Sequence, residues 1–313
     1  MSCWVCWHSS IRRWMPAACR NGWPGSFSFH RYGGKSMRRN PDLKYCMTLP
    51  PQRAVAYLKN KGYALSDDWE DVWQEAHDKA FTVAKVTRLD ILQDIRNILQ
   101  EALDEGKTGR WFEKELTPLL QKKGWWGKKE TVDPETGEIE RIQLGSPWRL
   151  QTIYRTNLQT AYMAGRYAGQ MENVDDRPYW MYVAVMDDCT RPEHAALNGK
   201  VFPYDDPFWD AFYPPNGWGC RCRVVPVTAD YVARSGIRVS SSSGSLGSRL
   251  QTISQKSGEM REVATFSTID PVTRRRVTIS PDAGWSYTPG KTWRPDTDRY
   301  NGDLATLAKR ELE

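Results

Sequence analysis

Between residues 187 and 223 the chain reads DDCTRPEHAALNGKVFPYDDPFWDAFYPPNGWGCRCR, and the fold depends on what this stretch does. A connection of this length inside a domain is usually either functional or disordered. Its aromatics decide for order. Trp209, Phe212, Tyr213 and Trp218 need surroundings to pack against, and burial of their area offsets the entropy of fixing so many residues. The stretch is therefore expected to be an ordered loop held by side-chain contacts between two strands.

The flanks supply those strands. Residues 179–186, YWMYVAVM, are rich in aromatic and β-branched side chains and read as a buried strand. On the far side, Cys220 to Val227 reads as an extended strand leaving the loop. Inside the loop, Pro192-Glu193-His194 starts a short helix and Asn198-Gly199 is a turn signal. Lys200 to Pro203 then fits a short edge strand, before Pro214-Pro215-Asn216-Gly217 turns the chain again.

Upstream the pattern is helical. A short helix runs through QRAVAYLKNKGY after Pro50-Pro51, stopping at Gly62. With Ser66 as N-cap, apolar residues recur at helical spacing through Trp69, Val72, Trp73, Ala76, Ala80, Val83 and Ala84, and again from Leu89 to Leu103. A further helix spans Thr108 to Lys123 with Gly124 as its stop. His77 reads as a core-edge or exposed histidine, and Asp71, Glu75, Asp78 and Lys79 as a solvated helix face. The segment around DPETG is a hairpin leading to a helix capped by Ser146, opened by Pro147 and running to about Gln170. Within it Arg155, Thr156 and Asn157 either satisfy buried backbone groups or line a site.

The formal net charge of the 313 residues is +6, but Arg12, Arg13, Arg20, Arg31 and Lys35 supply five of those charges within a stretch that has no acidic residue. The body of the chain is close to neutral, so composition alone does not argue for nucleic-acid binding. Residues 1–36 mix Trp, Cys, Ser, Gly and Arg without a period and read as an extraneous or disordered extension, with the natural start at Met37. Seven cysteines, an odd number crowded toward the start, do not make a secreted disulfide framework. No apolar run reaches the roughly 18 residues of a membrane span, so the expectation is a soluble, intracellular protein with no membrane partner. Beyond a short helix ending near Gly236, VSSSSGSLGS has the composition of a flexible linker. Val263–Ile269 and Arg275–Ile279 then form a hairpin, and the tail from Asp303 has a helical composition. Arg274, Arg275 and Arg276 could touch the phosphates of double-stranded DNA or simply protect a sheet edge by charge.

Four segments carry a resemblance: RTNLQTAYMAGR at 155–166, TRPEHAALNGKVF at 190–202, PPNGWGCRC at 214–222 and GWSYTPG at 284–290. With them the sequence resembles the phage Mu F-like minor head proteins, also called phage head morphogenesis proteins, from about Leu43 onward. The resemblance implies a virion component inside the phage head, assembled in the host cytoplasm. It would act with the portal protein and other procapsid components in assembly, and in DNA packaging or ejection, without enzymatic activity.

Read for its own chemistry, the loop offers two sulfurs, Cys220 and Cys222, and the imidazole of His194, with Cys189 or Asp188 able to complete a tetrahedral zinc site. The alternative is that the thiols are small buried hydrophobes and His194 hydrogen-bonds within the loop. A third reading pairs a thiol with His194 in a hydrolase, with Arg221 or Arg223 lowering the thiol pKa. Asp205, Asp206 and Asp210 are explained by turn formation. The expected fold class is α+β. A helical region with a hairpin (37–145) precedes a mixed α/β module carrying the Cys/His loop (146–236), and a linker with a small β extension follows (237–313). The functional expectations are a minor head protein first, then a Cys/His- or zinc-dependent enzyme, or a DNA-binding packaging accessory.

Overall fold

Apolar periodicity builds the first half of the fold. The computed structural model describes residues 52–132, 137, 139–254, 257–270 and 273–293. The extension at 1–36, the Pro50-Pro51 opening, most of the DPETG turn and the tail from Asp303 lie outside them. Helix α1 (Gln52–Lys59) buries Ala54, Tyr57 and Leu58. Two short strands, β1 (Gly62–Tyr63) and β2 (Ala80–Phe81), pair in parallel.

Between them the expected long helix does not form. Residues 66–84 hold a 3-10 turn at Trp69–Asp71 and the four-residue α2 (Ala76–Lys79). Local polar bonds outcompete the helix: the Asp71 carboxylate accepts from the backbone N–H of Asp67 and Asp68 at 2.7 and 2.9 Å, and Gln74 adopts φ 46°. Ser66 does not cap; its hydroxyl meets that of Thr82 at 2.6 Å. The apolar residues of this stretch instead serve separate turns.

Helices α3 (Leu89–Asp104) and α4 (Gly109–Lys122) follow the expected period, with Thr108 accepting from the Trp111 N–H at the start of α4. The hairpin β3 (Lys128–Val132) and β4 (Ile139–Gln143) leads into α5 (Pro147–Met171), capped by Ser146. At that entry Arg149 is buried, donating to the carbonyls of Gln143 (2.5 Å), Leu144 and Ala84 and lying over the Trp125 ring. Burial pulls its guanidinium pKa down to about 10. Helix α5 is the spine shared by two cores. Leu150, Ile153, Ala161 and Ala164 join the core of α1, α3 and α4, while Met163 joins a second core made by the focal loop.

That loop hangs on the sheet β6-β5-β7, in which β5 (Tyr179–Val183) is central, between β6 (Val201–Pro203) and β7 (Arg223–Val227). Helices α6 (Pro192–Leu197) and α7 (Phe208–Phe212) are short turns within it, and α8 (Ala229–Ser235) follows. The strand expected from Cys220 begins at Arg223, because Gly217 and Gly219, with φ 155° and 69°, bend the preceding residues out of the sheet.

The serine-rich stretch is not a free linker. Ser242 is buried with its N–H donating to Asp206 at 3.0 Å, Val239 bridges to Val201, and strand β8 (Leu246–Thr252) has already begun at Leu246. Strands β8, β9 (Met260–Ile269) and β10 (Arg276–Ile279) form an antiparallel sheet whose Phe266 and Ile279 enter the loop's core. The chain then returns across both cores. Gly290, at φ 85°, approaches α5 so closely that a Cβ there would stand 3.0 Å from the Ala164 Cβ.

Asp78, expected on a solvated face, is wholly buried and receives this returning segment. Its carboxyl accepts from the Tyr57 hydroxyl (2.6 Å), the Gly290 N–H (3.1 Å) and the Thr292 hydroxyl (2.9 Å). Beside it His77 is half-buried, and burial, then the Lys61 charge, lower its pKa to about 4. In the unfolded chain a histidine titrates near 6.5, so the unfolded state takes up the proton first as pH falls. Stability that is complete above about pH 6.5 is expected to decline down to about pH 4, by about 1–3 kcal/mol. Denaturant melts across that window should show the slope, and His77→Gln should flatten it.

Candidate functional site

The two ends of the loop are tied to each other. Arg221 donates two bonds to Asp187, Nη1 to Oδ2 at 2.7 Å and Nη2 to Oδ1 at 2.5 Å. The Arg221 hydrogen bonds hold the Asp187 pKa at about 2. The pair is partly exposed and contributes a fraction of a kcal/mol. A second tie comes from the returning segment. Arg191 donates from Nη1 to both oxygens of Asp282 (2.7 and 2.8 Å) and from Nη2 to the Trp218 carbonyl. Gly217 lies against this pair, where a Cβ would collide with the Asp282 carboxylate and Arg191. Trp218 in turn packs edge-on against Trp285 at 5.2 Å.

Within these ties His194, Cys220 and Cys222 converge, all three buried. The Nδ1 atom of His194 stands 3.7 Å from Cys220 Sγ and 3.4 Å from Cys222 Sγ. Helix α6 presents the imidazole, and the bend at Gly217 and Gly219 turns both sulfurs toward it. On α5, Gln159 donates to the Cys222 carbonyl at 3.1 Å, fixing that backbone. Burial pushes the Cys220 thiol up, but the Cys222 hydrogen bond, the His194 ring and the Asn216 backbone N–H outweigh it and bring Cys220 well below the usual thiol range. Cys222, beside Cys220 and buried, moves the other way.

Other residues singled out in the sequence fall elsewhere. Cys189 does not join the cluster; it is half-buried at the first turn. Asp188 is likewise outside. Asp206 serves the turn, accepting from the Phe208 and Ser242 N–H groups, and Asp210 meets Lys291 at 2.5 Å. Asn157 donates to the Ile153 carbonyl of its own helix, and with Thr156 it also lines a cavity near His77, Arg149 and Trp285. Arg274, Arg275 and Arg276 are exposed at the β9–β10 turn and the start of β10. Arg191, Asp282 and Gln159 carry no role in the sequence reading, which places Asp78 on a solvated face. For Asp282 a signal was there: an acidic residue two positions before the aromatic run GWSYTPG.

The residues that converge here span the segments by which the chain can be compared with others, and residues 93–225 match the family model described as Phage Mu protein F like protein. Residues 93–225 belong to the Mu F-like family. A protein F of Escherichia phage Mu, named for capsid assembly, is 48% identical over 251 residues, which are 80% of this chain and 56% of that one. The Mu-like prophage FluMu F protein of Haemophilus influenzae is 41% identical over 242 residues, 77% of this chain and 55% of that one. This chain thus spans about half the length of the curated relatives it matches. No solved structure matches it. No helix among the described residues is long and apolar enough to cross a membrane.

Proposed function

We propose that this chain is a structural head protein of a Mu-like phage or prophage, acting with the portal and other procapsid components while the head assembles in the host cytoplasm. The observation that carries the reading is the 48% identity over 251 residues to a protein named for capsid assembly. The site chemistry is compatible with it. His194, Cys220 and Cys222 are all buried, and both cysteines belong to the aromatic core of the loop, which suits a clasp better than a thiol hydrolase needing an open, substrate-accessible thiolate. In this role the loop presents a rigid shape to its neighbours in the head.

The expected result is that the protein is present in purified particles and in procapsids, and that cross-linking in procapsids captures it together with the portal. Absence from both particle classes would overturn the reading. A DNA-contact role in packaging or ejection has one observation in its favour, the three adjacent exposed arginines at 274–276. Retention of double-stranded DNA should then weaken steeply with salt, and neutralising the three should lower the log–log salt slope by about 3. Retention unchanged in the triple variant would remove that role.

A further inference from the structure

We propose that His194, Cys220 and Cys222 bind a zinc(II) ion through Nδ1 and the two Sγ atoms, as a structural site that fixes the return of the loop to the sheet. The site stands independently of the head-assembly reading. Its first support is metric. With Zn–S near 2.3 Å and Zn–N near 2.0–2.1 Å, a tetrahedral centre sets each N···S edge at about 3.5–3.6 Å. The two N···S distances here are 3.4 and 3.7 Å, and all three donor atoms lie within 4.8 Å of one another.

A second support is that one nitrogen faces both sulfurs. A ring nitrogen has either one proton to give or one lone pair to accept with, so a hydrogen-bonded cluster satisfies one of these contacts and leaves the other. A metal at the shared vertex satisfies both. Charge points the same way. Two thiolates neutralise a divalent ion, so the complex adds no net charge to a buried core, where an unpaired charge would be costly. Two thiolates with one imidazole are a soft donor set that favours zinc over calcium or magnesium.

The surroundings supply the outer hydrogen bonds that such ligands use. Gln159 donates to the Cys222 carbonyl at 3.1 Å, and the Tyr182 hydroxyl donates to Asn216 Oδ1 at 2.8 Å, holding the residue that precedes the Gly217 bend. Asn216 Nδ2 is itself buried without a hydrogen-bond partner. Among the described residues no fourth Cys, His, Asp or Glu joins the group.

The test uses the full chain, expressed with zinc and purified under reducing, chelator-free conditions. About one zinc per chain is expected, lost at least tenfold in Cys222→Ser and His194→Ala and kept in Cys189→Ser. After zinc removal, titration with Co(II) should give thiolate-to-metal charge-transfer and tetrahedral d–d absorption. If the loss variants fail to fold, the wild-type Co(II) spectrum decides, together with His194→Cys, whose third thiolate should strengthen the charge-transfer band. Wild-type protein with neither zinc nor thiolate–Co(II) absorption overturns the site, as does zinc retained in Cys222→Ser or lost equally in Cys189→Ser. An unchanged Co(II) spectrum in His194→Cys overturns the role of His194.

Discussion

Asp78→Ala is expected to cost about 3–5 kcal/mol, the largest loss of any single polar substitution in the described chain. The carboxyl is fully buried and collects donors from residues far apart in sequence: the Tyr57 hydroxyl, the Gly290 N–H, and both the N–H and hydroxyl of Thr292. Removing the acceptor strands several buried donors at once, and each costs about 1–3 kcal/mol unless water reaches it. Thermal denaturation should fall by about 10 °C. The neighbouring exposed Lys79→Ala should stay within about 0.5 kcal/mol, and equal losses for the two would show that Asp78 does not anchor the returning segment.

Phe208→Ala should lose a comparable amount, about 3–5 kcal/mol, for a different reason. Phe208 is buried between Phe202 and Phe212, stacked on them at centroid distances of 4.2 and 4.9 Å, and meets Phe266 of β9 edge-on at 5.0 Å. Truncation removes the ring that joins the loop to the C-terminal sheet and leaves a cavity in both. Phe208→Leu, which keeps most of the apolar volume, should cost about 1–2 kcal/mol. Near-ultraviolet circular dichroism would report the loosened aromatics directly, through Trp209 at 5.1 Å. A loss below 1 kcal/mol for the alanine variant would mean that the loop is not stabilised by this stack.

How much could be read beforehand follows from the range of the interactions. Helices α3, α4 and α5 were legible because their apolar residues repeat every three to four positions and Thr108 and Ser146 stand at their starts. Strands β5 and β6 and the hairpin β9–β10 were legible for similar local reasons. The segment 66–84 was misread because helical spacing of tryptophans and alanines cannot reveal that Asp71 will take the N–H groups of Asp67 and Asp68. Serine composition hid β8, since what orders Ser242 is Asp206, a residue of another turn. At the site, the residue types His194, Cys220 and Cys222 were legible, whereas their convergence depends on backbone bends at two glycines. Asp78 was beyond reach, its glycine partner being 212 positions away.

That separation also sets a schedule. During synthesis Asp78 leaves the ribosome long before Gly290, and at about 5–20 residues per second the interval is about 10–40 s. Throughout it Asp78 has the Tyr57 hydroxyl but lacks the Gly290 and Thr292 donors, and Arg191 waits likewise for Asp282. The loop and the helical core therefore reach their final docked form only once the last described residues have been made. A chain still being translated cannot offer the same surface as a finished one, because the contacts that complete that surface are the last to become possible.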